Sequence, residues 1–266
     1  MHNNQNHYPS ADGRKGSYSR TPRVWFITGA STGLGLSLVK QLLVRGDQVA
    51  ATTRHLQRLT DQIHNSIPTA LMKNFLPLQV DLRDEYAIEQ AIATAHSTFG
   101  RIDVVVNNAG FAPKGRMEEL SPSDIHQCFA INTTASMTVT HRVMPYLRQQ
   151  RSGYILNISS MAACAAANDS SLYAATKYAT LGLSEIEKAS AQKFDIFITV
   201  VAPASFQPRL HARDYDMWEH IRDSDHTATN LILLAEQPAP PPVLLVGDNH
   251  FTTHQKVADN AIQFIR

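Results

Sequence analysis

The chain has 266 residues and a net charge of +1, from 24 basic and 23 acidic side chains, which gives no electrostatic footprint for nucleic acid or an anionic membrane as partner. Hydrophobic residues make up 43 %, enough for a full core, and no stretch approaches the roughly 18 apolar residues of a transmembrane helix. Cys128 and Cys164 are the only cysteines, too few for a disulfide framework or a zinc set.

Two thiols fit a reducing, cytoplasmic compartment. The 12 histidines show no metal-ligand spacing. Met1 to Pro22 is polar and lacks the apolar core of a secretory signal, so it reads as a disordered tail.

Val24 to Thr28 is a short apolar run suited to a buried strand. It ends in Thr28-Gly-Ala-Ser-Thr-Gly-Leu-Gly35. From Leu34 to Val44, apolar residues recur at helical spacing and stop at Gly46. Glycines between a strand and a helix let backbone approach a pyrophosphate, which the helix N-terminus then attracts. Gly29, Ser31, Thr32, Gly33, Leu34 and Gly35 are therefore candidate dinucleotide contacts. Gln48 to Thr53 reads as the second strand. An acid after it would hold a ribose 2′-hydroxyl, as for NAD. Here Arg54 stands instead, placed to pair with a 2′-phosphate, so NADP is favoured with NAD possible. The alternative is a solvated surface arginine.

Phe75 to Val80 reads as the third strand, ending at Asp81. Tyr86 to Phe99 is a helix stopped by Gly100, and Val104 to Val106 a fourth strand running into Asn107-Asn-Ala-Gly110. Ser123 to Arg148 reads as one long helix opened by Ser121-Pro122. Tyr154 to Ile158 is a fifth strand, Tyr173 to Gln192 a helix and Asp195 to Val201 a sixth strand. Val243 to Val246 is a possible seventh, followed by a helix to the end. Strands alternating with helices predict an α/β fold with a doubly wound parallel sheet, the Rossmann fold. One domain covers 23–266, with a short substrate lid around 204–237.

With the glycine turn, Asn107-Asn-Ala-Gly110 and Tyr173-x-x-x-Lys177 in this order, the chain resembles the short-chain dehydrogenase/reductase family. The resemblance runs from about Val24 to Val201 and is to the single-domain branch. The run from Pro241 to Asp248 is similar to a hydroxysteroid-dehydrogenase-like subgroup. Phe129-Ala-Ile-Asn132 looks like the family's catalytic asparagine segment and Asn157-Ile-Ser-Ser160 like its serine strand. The resemblance implies an enzyme that moves hydride between NADP(H) and a small carbonyl or alcohol substrate. It further implies Asp81 and Leu82 against the adenine, and Asn108, Ala109, Gly110 and Pro203 along the cofactor. A homo-oligomer packed through the helices that follow the fourth and fifth strands is also implied.

Tyrosine is a weak base at neutral pH, with an unperturbed pKa near ~10. Lys177, one helical turn on, is expected to lower it. By the resemblance Tyr173 exchanges a proton with the substrate oxygen, and Ser160 hydrogen-bonds that oxygen. Lys177 also holds the nicotinamide ribose, and Asn132 anchors a relay water. Ser159 is the rival serine, although strand alternation sends it to the opposite face; Asn132 has a purely structural alternative. After the sixth strand Ala204 replaces the family's glycine and Pro208 falls near its usual threonine. This departure motivates a rival function, a cofactor-binding protein that senses redox state or binds a partner without turnover.

Overall fold

The computed structural model describes residues 21–113, 115–160, 171–203 and 224–246. Seven strands form one parallel sheet in the order β3-β2-β1-β4-β5-β6-β7. They are β1 Val24–Ile27, β2 Gln48–Thr53, β3 Phe75–Gln79, β4 Val104–Asn107, β5 Gly153–Ile158, β6 Ile196–Pro203 and β7 Val243–Val246. The helices are α1 Gly33–Val44, α2 Leu56–His64, α3 Glu85–Phe99, α4 Pro122–Phe129, α5 Ala135–Gln150, α6 Ser171–Ala191 and α7 Ser224–Ala235. This is the doubly wound fold that the alternating pattern predicts.

The central strands β1 and β4 are buried on both faces, which is why they are continuous apolar runs. Strand alternation divides the core. Trp25 and Ile27 of β1, with Val104 and Val106 of β4, face α1, α2 and α7. Phe26 and Val105 face α3 and α5, where Ile88, Ile92, Val139 and Leu147 complete the second layer. Element ends carry their own signals. The Asp84 carboxylate caps α3 by accepting from the Tyr86 and Ala87 amides, and Gly100 ends that helix at φ 79°. Ser121 and Asp124 form a capping box on α4, with Pro122 in its first turn.

Three elements differ from the sequence reading. The expected helix from Ser123 to Arg148 is two helices joined by a π-helical turn, Ala130–Thr134. Such a turn inserts a residue into the helical ladder and re-aims the side chains around it. Periodicity does not register one extra residue. α2 was not anticipated, although Leu56, Leu59 and Ile63 share one helical face and the last two are buried.

The third difference concerns the lid. Ser224–Ala235 is a helix of the core rather than part of a lid. It buries Ala228, Leu231, Ile232 and Leu234 against the layer that includes α1. Gln41 Nε2 donates to Asp225 O at 2.9 Å, and Thr229 Oγ1 donates to Gln41 Oε1 at 3.0 Å. Arg23 reaches the Ala235 carbonyl at the far end of α7. The rest of the predicted lid, the residues Ala204 and Pro208, and the expected terminal helix lie outside the described residues. So does the tail over residues 1–20.

Candidate active site

The strand order reverses direction between β1 and β4. In an open α/β sheet the crevice at the carboxyl ends of such strands is the binding position. The glycine turn leaves β1 at this point. Gly29 has φ +67° and Gly33 φ +51°, which only glycine adopts without strain. A Cβ at Gly29 would lie 2.7 Å from Ala109 Cα. One at Gly35 would lie 2.5 Å from Gly29 O and 2.7 Å from Asn108 Nδ2. The two predicted cofactor segments are thus interlocked, and neither leaves room for a methyl group.

Thr28, which sequence reasoning passed over, is the joint between them. Its hydroxyl accepts from the Asn108 and Ala109 amides at 3.0 and 3.1 Å. Asn108 Nδ2 donates to Thr28 O and Gly29 O at 2.9 and 3.0 Å. Gly110 is half-buried where the chain leaves this joint. Ser31 is half-buried and Thr32 exposed at the mouth, while Leu34 points into the core. Thr32 makes no side-chain cap on α1, and the first turn holds no acid. The α1 amides and dipole are thereby left to an anion. This cradle fits a dinucleotide pyrophosphate.

Arg54 is exposed just beyond β2. Asp81 follows β3 on the adjacent strand, where Val80 N donates to Thr53 O at 2.9 Å. Arg83 takes the Asp81 carboxylate. Its Nε lies 3.0 and 3.1 Å from the two oxygens, and its amide donates to Oδ1 at 3.0 Å. These Arg83 hydrogen bonds hold the Asp81 carboxyl down to about 2, with a smaller contribution from the Arg54 charge. Arg83 went unremarked in the sequence because its role depends on a bend that brings it back two residues. Beside Arg54, His55, Leu56, Gln57, Arg58 and Gln79 line an open pocket of about 550 Å³. Leu82 lines a small void with Thr28, Ala109 and Ile131 under the cofactor segments. Pro203 closes β6, buried and paired with Val246.

Tyr173 and Lys177 lie one turn apart on the buried face of α6. Lys177 Nζ is 5.5 Å from the centroid of the Tyr173 ring and donates to Ile158 O at 2.7 Å. Ser160 hydrogen-bonds the Tyr173 side chain. Ser159 Oγ lies 3.5 Å from the main-chain carbonyl of Lys177. Asn132, in the π turn, is buried. Its Oδ1 accepts from the Phe111 amide at 2.6 Å, and its Nδ2 donates to Phe111 O at 2.8 Å and Thr176 Oγ1 at 2.9 Å. The thiol of Cys128 packs against the same amide, 3.4 Å away, and burial raises its pKa.

The electrostatics correct one expectation. The Tyr173 pKa is raised above its ordinary value, not lowered. Burial outweighs the one stabilising influence, the Ser160 hydrogen bond, and the Lys177 ammonium points at Ile158 O rather than at the phenol oxygen. Burial also brings Lys177 down to about 8.

This has a measurable consequence. Unfolded lysine titrates near ~10.4. Between pH 8 and that value the unfolded chain binds more protons than the folded one, so stability rises with pH. The penalty for burying the charge is fully present below pH 8 and is relieved by about 3 kcal/mol across the window. The raised Tyr173 acts in the opposite sense above about pH 10. Urea unfolding of the wild type should therefore show stability growing from pH 8 toward 10, and Lys177→Met should remove that slope. An equal slope in both proteins would place its origin elsewhere.

The chain matches the family model described as short chain dehydrogenase over residues 23–217. It is 36 % identical over 185 residues to Oxidoreductase BOA17 of Botryotinia fuckeliana, covering 70 % of this chain and 66 % of that protein. Its fold is similar to that of a short-chain dehydrogenase from Streptomyces avermitilis, with TM-score 0.76, 24 % identity and coverage of 92 % and 94 % of the two chains. It is also similar to a metagenomic short-chain oxidoreductase in complex with NADP, with TM-score 0.72, 25 % identity and coverage of 84 % and 96 %. Built on this fold around this glycine cradle, the chain belongs to the short-chain dehydrogenase/reductase family and is an NAD(P)-dependent oxidoreductase.

Proposed function

We propose that this protein reduces a ketone or aldehyde to an alcohol with NADPH. The observation that carries the reading is Tyr173 of α6, buried against Ser160 with Lys177 beside its ring, at the same carboxyl edge of the parallel sheet as the glycine cradle. Bound at that cradle, a nicotinamide cofactor supplies the hydride. The residues supply geometry and the proton. Ser160 holds the carbonyl oxygen in line with Tyr173. Tyr173, kept protonated by burial, donates its phenolic proton to that oxygen. A protonated tyrosine suits reduction, whereas alcohol oxidation needs the phenolate. Lys177 holds the ribose and keeps positive charge near the phenol. The Asn132 amide is engaged by Phe111 and Thr176, and its main-chain carbonyl accepts from Ser136 Oγ at 3.3 Å and Thr180 Oγ1 at 3.4 Å, so Asn132 ties the cofactor segment to α6.

The NADP preference rests on Arg54 and on the pairing of Asp81 with Arg83, which removes the nearby carboxylate as a competitor for Arg54. The similar metagenomic oxidoreductase is itself in complex with NADP. Arg54→Gln should weaken NADPH binding by about tenfold or more and leave NADH within about twofold, since one charge-assisted phosphate contact is lost. Titration of cofactor fluorescence decides this. Equal weakening of both cofactors would remove Arg54 as the phosphate clamp.

The hydroxysteroid-like substrate class rests on the run from Pro241 to Asp248 alone. For the homo-oligomer, α5 and α6 expose Met137, Tyr178 and Ile186, an apolar face that a second copy would cover.

A further inference from the structure

The family motif assigns nothing to Thr176, yet its hydroxyl joins α6 to the π turn that carries Asn132. It is fully buried on α6. Oγ1 donates to Tyr173 O at 2.7 Å and accepts from Asn132 Nδ2 at 2.9 Å. A threonine bonded to the carbonyl three residues back is ordinary helix behaviour. The second bond is different, because it crosses from α6 to the π turn. Asn132 in turn grips both main-chain groups of Phe111, the residue after Gly110 in the cofactor segment. Two hydroxyls brace the same joint: Thr133 Oγ1 and Thr180 Oγ1 donate to Thr176 O at 3.2 and 3.1 Å.

A continuous path therefore runs from the cofactor segment through Phe111, Asn132 and Thr176 to the turn of α6 that carries Tyr173 and Lys177. We propose that Thr176 is a positioning residue that, acting through Asn132, fixes the proton-donating turn of α6 at its working distance from the cofactor segment. The role rests on the proposed reductase activity. Without the hydroxyl, the buried Asn132 amide loses one of its hydrogen-bond acceptors. Either its side chain turns or the π turn shifts. Displacement of a reacting group by about 1 Å costs on the order of a hundredfold in rate.

The test uses the full chain with Thr176→Val, Thr176→Ala and Thr176→Ser, each alone and with Asn132→Ala. NADPH oxidation is followed with a panel of aldehydes and ketones headed by 4-nitrobenzaldehyde, and the NADPH Kd is read by fluorescence. The Val and Ala variants should lose about tenfold to a hundredfold in kcat while KM and NADPH Kd stay within about threefold, and Ser should restore kcat to within about threefold. On the Asn132→Ala background, removing the hydroxyl should change kcat by less than about twofold. The Ala variant keeps the test open if Val does not fold.

The role is overturned if the folded Val or Ala variant turns over like the wild type, if Ser is as impaired as Val, or if the losses at Thr176 and Asn132 multiply independently. A wild type that binds NADPH but reduces no aldehyde or ketone overturns the reductase reading and this role with it. An active wild type unaffected by the substitutions overturns the role alone.

Discussion

Tyr173→Phe is expected to lower carbonyl reduction by about a hundredfold to ten-thousandfold, the range for losing a positioned general acid. The NADPH Kd should move by less than about twofold, because the phenol hydroxyl is bonded to Ser160 and the ring stays in place. The ring stays, so no cavity forms and the fold should hold to within about 1 kcal/mol. Stopped assays of NADPH consumption, with cofactor fluorescence in parallel, separate the two effects. The pH profile adds a second readout. Because burial raises the Tyr173 pKa, the donor stays protonated across the neutral range. Reduction should be insensitive to Tyr173 titration from pH 6 to 9 and oxidation of the product alcohol should climb with pH. Turnover retained in the Phe variant would remove Tyr173 as the proton donor, and NADPH binding with no turnover in either protein would favour the rival reading, a cofactor-binding protein that does not catalyse.

The other large effect is expected at Gly35. Alanine there would set a methyl group 2.5 Å from Gly29 O and 2.7 Å from Asn108 Nδ2. Neither atom is the end of a flexible chain. The carbonyl belongs to the tight turn at Gly29, and the amide is tied to Thr28 O and Gly29 O. Relief requires α1 to back away from the turn, which carries its N-terminal amides away from the pyrophosphate position. Gly35→Ala should cost about 1–3 kcal/mol, as overpacking does, and weaken NADPH binding by at least about tenfold. A thermal melt and the same fluorescence titration check both. NADPH affinity equal to that of the wild type would mean that the α1 N-terminus does not hold the phosphates.

The fold was legible because its signals are local. Val24 to Ile27 is buried at every position, and an all-apolar strand ending in a glycine turn implies cover on both faces. The order of glycine turn, Asn107-Asn-Ala-Gly110 and Tyr173-x-x-x-Lys177 needs only strand, turn and helix periods to be read. The π turn at Asn132 was not legible, since one inserted residue leaves the apolar pattern on both sides intact. Nor was the place of α7, whose apolar residues could equally have faced a substrate until α1 was seen to cover them.

The sequence by itself determined the α/β class, the order of the catalytic and cofactor motifs, and which side chains share the face of α6. Residue type and spacing suffice for these, because one helical turn puts Lys177 beside Tyr173 whatever surrounds them. Only the tertiary structure decided their environment. Burial, a property of the whole packed chain, reversed the expected direction of the Tyr173 pKa and brought Lys177 to about 8. It also brought Thr176 under Asn132, 44 residues away in sequence, and Thr28 under Asn108, 80 residues away. No local pattern encodes those pairings, since they exist only once the sheet has set the helices against one another.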